Sequence, residues 1–321
     1  MTLSISVVSP GGIWMSADFR LTDTATGQPR PYDSPKIVPL SYLEPIWQGL
    51  ISYAGVGSSA NLETSEWIGR VLEGNPCLGL SDLVDVLRRE GDVWLNQVPL
   101  RLRAHTFNVA AFVDGSAHFA IVTNVDHLDG TSGSVSSRLY VEQDVISGGA
   151  HVFVTGIPGS IDRADRQELA AMACGESPER TEIPTTLGRL NRAAASDPRF
   201  GDFISRGCIT AELLPDGTGR SFIHEPTSDL IPTSVLGGRT MGPELILHAI
   251  EVMGRTRAFV HLVDVPAHQA QAAADCLSEV GIEVVRIGID TSSEELKVHP
   301  DQLEAARIAL RQSLPDSDPA A

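Results

Sequence analysis

The chain has 321 residues, with 24 Lys and Arg against 41 Asp and Glu, a formal net charge of −17 at pH 7 with neutral His. That balance excludes a generic phosphate-binding surface. A hydrophobic content of 42% with 20% charged residues excludes disorder over most of the length and predicts a sizeable core. Cys77, Cys174, Cys208 and Cys276 form no CxxC pair, so neither a zinc knuckle nor a disulfide framework is expected, and a reducing cytoplasm is the expected setting. No apolar run approaches the roughly 18 residues of a membrane span, and the opening MTLSISVVSPGG has no basic start of a secretory signal.

Residues 3–8 (LSISVV) and 13–18 (IWMSAD) are β-prone runs around SPGG, a hairpin signal. A polar, Pro-rich loop is expected over 23–35, then strands at 36–40 (KIVPL) and 49–55 (GLISYAG). Apolar residues at helical spacing predict two helices, 58–73 and 81–95. Strand composition returns at 106–113, 116–123, 136–146 and 151–156, followed by a second helix pair at 160–174 and 185–195 and a last strand pair around Asp216-Gly217. A strand run followed by a helix pair, twice over, predicts an α+β fold of stacked antiparallel sheets covered by helices, not alternating βαβ winding. From 226 a Pro-, Ser- and Gly-rich stretch reads as a linker in which Gly237-Gly238-Arg239 is a turn. Beyond it a helix (243–253), a strand (258–265), an Ala-rich helix (266–280), a strand (282–289) and a helix (300–312) predict a small βαβ-like extension. The expected division is therefore 1–225 and 226–321. GTSGSVSS at 130–137 reads as a flexible loop, and the tail LPDSDPAA as disordered.

The signatures GxSxG, HExxH, GxxxxGK[ST] and GxGxxG are absent, and the nine histidines do not cluster, so no metal or organic cofactor is expected. What remains is the N-terminus. The small side chain of Thr2 permits removal of Met1, which leaves a threonine with a free α-amine. That amine titrates near roughly 7.7 to 8.0 and serves as a general base at neutral pH, and threonine paired with its own amine is an activated nucleophile. Asp18 falls at the end of the second strand and Lys36 at the start of the third. Beside Thr2, Lys36 would favour the alkoxide and depress the amine's proton affinity, and Asp18 would compensate Lys36.

These residues resemble the β-type subunits of the proteasome and their bacterial relatives, within the N-terminal-nucleophile hydrolases, over roughly 1–225. The family pattern of a terminal Thr, A-D-x-R-x-T, a K-[IV] strand start and an A-G strand end is matched by Thr2, Ala17-Asp18-Phe19-Arg20-Leu21-Thr22, Lys36-Ile37 and Ala54-Gly55. Downstream, Gly156-Ile157-Pro158-Gly159-Ser160 is similar to its G-x-G-S with one extra residue, and Asp202-Phe203-Ile204-Ser205-Arg206-Gly207 to its D-x-x-S-G-G with Arg206 in place of a glycine. The resemblance implies a four-layer αββα sandwich with a small C-terminal α/β extension. It implies a threonine-type peptide or amide hydrolase with Thr2, Asp18, Lys36, Ser160, Asp202 and Ser205 in the catalytic group. Gly55 would supply the oxyanion donor, and Thr22 main-chain bonds to an extended substrate. A peptide or small amide is the expected partner, with no nucleic acid or membrane, in a homo-oligomer. The same fold also suits a small-molecule amidase or acylase, and a non-catalytic assembly or binding protein.

Overall fold

The structure, a computed structural model, describes residues 2–22, 29–43, 45–59, 62–75, 77–126, 134–226, 232–241, 260–282, 284–288, 293–298 and 302–313. The expected helix at 243–253, residues 130–133 of the expected 130–137 loop and the tail lie outside them, and residues 135–137 belong to a strand rather than a loop. The chain divides into two compact units, Met1–Pro243 and Glu244–Ala321.

The first unit opens with the hairpin β1 (Ser4–Ser9) and β2 (Gly12–Asp18), then the short ribbon β3 (Arg20–Thr22) and β4 (Pro29–Asp33), then β5 (Ile37–Leu43) and β6 (Ile46–Ala54). A two-residue pair, β7 (Ser58–Ser59) and β8 (Leu62–Glu63), leads into helices α1 (Thr64–Leu72) and α2 (Leu80–Leu95). Strands β9 (Thr106–Val113), β10 (Ser116–Val125), β11 (Val135–Ile146) and β12 (His151–Thr155) follow. Then come helices α3 (Arg163–Cys174), α4 (Ser177–Thr181) and α5 (Ile183–Ser196), and strands β13 (Cys208–Leu213), β14 (Gly219–His224), β15 (Ser234–Leu236) and β16 (Arg239–Met241). The segment expected as a linker therefore carries two strands. Its Gly237-Gly238 turn has φ of +52° and +68°, the left-handed pair a tight hairpin requires.

Two sheets result, β12-β1-β2-β13-β14 and β11-β10-β9-β6-β5-β15-β16. All their pairings are antiparallel except β15 with β5. They face each other across a shared apolar cluster that takes Ile13, Met15 and Ala17 from one sheet and Leu50, Phe112 and Phe119 from the other. The outer face of the five-stranded sheet (Leu3, Ile5, Val7) packs on Leu169, Leu187 and Leu190 of α3 and α5. That of the seven-stranded sheet packs on α1 and α2, where Trp67 and Trp94 stack at 4.9 Å between centroids. Both faces of β1 and β2 are thus covered, which is why every residue of both strands is buried, although LSISV alternates apolar and polar residues as a half-exposed strand does. Ser4 of β1 points inward, where it bonds Ser52 at 2.8 Å and Asn108 donates to Ser4, Ser52 and Thr155, meeting the cost of burying these hydroxyls between sheets.

Among the described residues the second unit carries a three-stranded antiparallel sheet and two helices: β17 (Val260–Pro266), α6 (Ala267–Glu279), β18 (Val284–Gly288), β19 (Ser293–Val298) and α7 (Leu303–Ser313), with β19 between the other two strands. Its own apolar cluster includes Ala273, Leu277, Leu296 and Leu310. The sequence SEELKV of β19 carries four polar residues in six and gave no strand signal. Among the described residues no helix is long and apolar enough to cross a membrane.

Candidate active site

The strand ends at one edge of the sandwich meet around Thr2. Ser4 pairs with Ala17, so Thr2 and Leu3 run past the last rung of the β1–β2 hairpin beside Asp18. The Asp18 N–H donates to the Leu3 carbonyl at 3.2 Å, and its carboxylate Oδ1 accepts the Leu3 N–H at 2.9 Å. On the other side stands Gly156, just past β12, with φ +84°. A Cβ there would fall 1.7 Å from the Thr2 carbonyl oxygen and 3.2 Å from the Ala54 side chain. Only glycine fits between Thr2 and the end of β6.

Lys36, immediately before β5, places its Nζ 2.8 Å from Thr2 Oγ1 and 3.2 Å from Asp18 Oδ1. Lys36 and Asp18 are fully buried and Thr2 is 2% exposed. The ammonium donates to the hydroxyl oxygen, so a negative charge developing on Oγ1 meets a fixed cation in a low-dielectric setting. Asp18 is in turn well served. Its second oxygen accepts the Arg20 N–H at 3.0 Å and the Ser205 N–H at 3.3 Å, the paired, hydrogen-bonded condition a buried ion needs.

Ser205 closes this ring from the turn before β13. Its hydroxyl accepts the Phe19 N–H at 2.9 Å and donates to the Gly207 carbonyl at 2.8 Å. Asp202 is exposed, and its backbone carbonyl, with that of Gly201, receives the Arg20 guanidinium; its described contacts do not include Thr2. Ser160 ends a single 3₁₀ turn (Pro158–Ser160) and donates to Ile157 O of that turn at 2.7 Å. The structure thus brings Thr2, Asp18, Lys36 and Ser205 into one connected group, leaves Ser160 with a local partner, and joins Asp202 to the group only through its backbone carbonyl and Arg20. Thr22 closes the β3–β4 ribbon, in register with Pro29.

Gly55 follows β6 with φ +112°, its backbone so close to Ala104 that a Cβ would lie 2.0 Å from the Ala104 carbonyl. The next N–H, of Val56, donates to His105 Nδ1 at 3.0 Å. Burial among aromatic rings lowers the His105 pKa to about 3, so the ring is neutral at working pH. His105 carried no local signal as a site residue, and Asn191 was not singled out. Asn191 of α5 lies fully buried on the same helix face as Leu187, Leu190 and Ala194 and donates to the Ser205 and Arg206 carbonyls at 2.9 and 3.1 Å. An amide on an otherwise apolar helix face was the available clue. Among the described residues no group of three or more His, Cys, Asp or Glu is placed to hold a metal. A separate cleft of about 390 Å³ opens by Leu40, Gln48, Glu212 and Arg220, toward the other end of β5 and β6.

No protein-family model matches the chain, and no curated protein matches it. Among solved structures it is similar to the Anbu (Gly-1) mutant from Hyphomicrobium sp. strain MC1, at 8% identity over 80% of this chain and 95% of that one, with a TM-score of 0.44. The chemistry is therefore argued from the site's own atoms.

Proposed function

We propose that the chain is an amide hydrolase of the N-terminal-threonine type, acting on peptides or small amides once Met1 is removed. One observation carries this: Lys36 Nζ sits 2.8 Å from Thr2 Oγ1 within a fully buried pair with Asp18. A surface threonine has no use for such a pair, and burying two charges beside one hydroxyl is costly unless the hydroxyl is the point. Helices on the outer faces of two stacked sheets support the four-layer αββα arrangement that the proteasome-like resemblance implies, and the Thr2, Asp18, Lys36 and Gly55 matches support that resemblance.

In the reaction, the Thr2 α-amine takes the proton of Oγ1 as Oγ1 attacks the scissile carbonyl carbon. The carbonyl oxygen becomes an oxyanion that the Gly55 N–H receives, an interaction of the kind whose loss costs roughly 2.7–4 kcal/mol. The amine then delivers its proton to the leaving nitrogen as the C–N bond breaks. Water, deprotonated by the same amine, attacks the resulting ester and releases acid and free Thr2. Lys36 stabilises charge on Oγ1, Asp18 holds Lys36, and Ser205 fixes Asp18. Ser160 and Asp202 hold the loops on either side, and Thr22 would offer its main chain to an extended substrate.

The test is N-terminal sequencing and intact mass before and after a peptide α′,β′-epoxyketone, which links a threonine hydroxyl to its own amine. A chain beginning at Thr2 that gains one equivalent, with no gain in Thr2→Ala, is the expected result. A chain that keeps Met1 and ignores the probe would sink the proposal in favour of a binding or assembly role.

A further inference from the structure

We infer that His105 is a positioning residue for the oxyanion donor, holding the Gly55–Val56 peptide through its Nδ1; this rests on the hydrolase reading above. Nδ1 takes the Val56 N–H at 3.0 Å, which requires a lone pair there and puts the imidazole proton on Nε2. The ring lies against Phe107 at 4.3 Å, Trp94 at 5.5 Å and Tyr53 at 6.1 Å between centroids. Among the described residues Nε2 finds no hydrogen-bond partner. Packing alone would favour phenylalanine, which fills an aromatic box and leaves no buried N–H unpaired. What histidine adds is the single acceptor at Nδ1.

That acceptor is itself anchored. The His105 N–H donates to Asn124 Oδ1 at 2.9 Å, its carbonyl accepts from Thr123 Oγ1 at 3.1 Å and the Asn124 N–H at 3.3 Å, and Asn124 Nδ2 donates onward to the Arg103 and Ser136 carbonyls. From the other side the Thr64 hydroxyl donates to the Val56 carbonyl at 2.7 Å. Gly55 is thus confined between the last rung of β6, where Ala54 pairs with Thr106, and a Val56 gripped at both its N–H and its carbonyl. Its +112° φ has little room to relax, so the Gly55 N–H keeps one direction. An oxyanion donor gains its effect from being aimed before the charge develops.

The experiment compares His105→Phe, which keeps the box and removes the acceptor, with His105→Asn, whose Oδ1 stands where Nδ1 does. Labelling rate by the peptide epoxyketone is followed by intact mass, and kcat and KM are measured on peptide aminomethylcoumarin amides. We expect His105→Phe to lower kcat and the labelling rate by roughly ten- to a hundredfold with KM little changed, as for a donor displaced but not deleted, and His105→Asn to recover most of the loss. A labelled wild type with an equally reactive His105→Phe, or an Asn variant no better than Phe, overturns this inference alone. A wild type that begins at Thr2 and ignores the probe overturns the hydrolase reading and this inference with it. If His105→Phe does not fold, ¹⁵N-histidine spectra of the wild type at pH 7 decide: the Nε2–H tautomer is expected, and an Nδ1–H tautomer overturns the assignment.

Discussion

Removing Lys36 and Asp18 from water costs several kcal/mol per ion before any attraction is counted. The cost is offset because Asp18 collects the N–H groups of Leu3, Arg20 and Ser205 as well as the ammonium. His105 meets the same problem by staying neutral, and the consequence is measurable. Its pKa falls from 6.5 to about 3 on folding, so below pH 6.5 the unfolded chain takes up a proton that the folded chain refuses. Stability therefore drops as pH falls from 6.5 toward 3, by up to about 1.4 kcal/mol per pH unit from this group. Urea unfolding of wild type and His105→Asn at pH 7, 6 and 5 should show the wild type losing more on acidification; parallel losses would refute this. The Thr2, Asp18 and Lys36 trio was legible in the sequence because each sits at a strand end of known type. His105 was not, since its partner Val56 lies 49 residues away and nothing local marks a histidine as an acceptor.

Among the elements, α5 does more than cover a sheet. Asn191 fixes the turn that carries Ser205, and Ser205 fixes Phe19 and Asp18. Replacing Asn191 with the near-isosteric Leu leaves two part-buried carbonyls without their donor, a loss of roughly 1 kcal/mol. It should also slow epoxyketone labelling of Thr2 about tenfold, since small misplacements are amplified at a reacting centre; a lower melting temperature with unchanged labelling would make Asn191 purely structural. Strong periodicity made α2, β9 and β10 readable nearly to the residue. Besides β19, two further regions show why others escaped. PRPYD of β4 reads as a loop because proline forfeits ladder donors, yet the two-stranded β3–β4 ribbon accommodates it. The β15–β16 hairpin is only three residues a side and is held by tertiary contacts: Gly237 N–H to the Ser41 carbonyl, Gly74 N–H to the Gly238 carbonyl, and Thr240 against Gly69 of α1, where a Cβ would meet it at 2.6 Å.

At the scale of the molecule, the stacking of antiparallel sheets with helices outside was legible because alternating groups of strands and helices leave few other ways to bury both faces. The expected boundary at 226 falls short of the observed division after Pro243, for the reason just given: β15 and β16 complete the seven-stranded sheet. Every residue of the Thr2 group lies in the first unit and the second has its own core. A chain ending at Pro243 should therefore still label at Thr2 near the full-length rate; loss of labelling in a folded truncate would tie the second unit to the chemistry. The order of strands also sets a clock. β1 waits for β12, and β2 for β13, so the sheet around Thr2 cannot close until synthesis has passed Leu213. At about 5–20 residues per second that takes roughly ten to forty seconds. Thr2 is almost wholly enclosed once the fold is complete. Under the proposed function, removal of Met1 is therefore expected on the ribosome, during that interval.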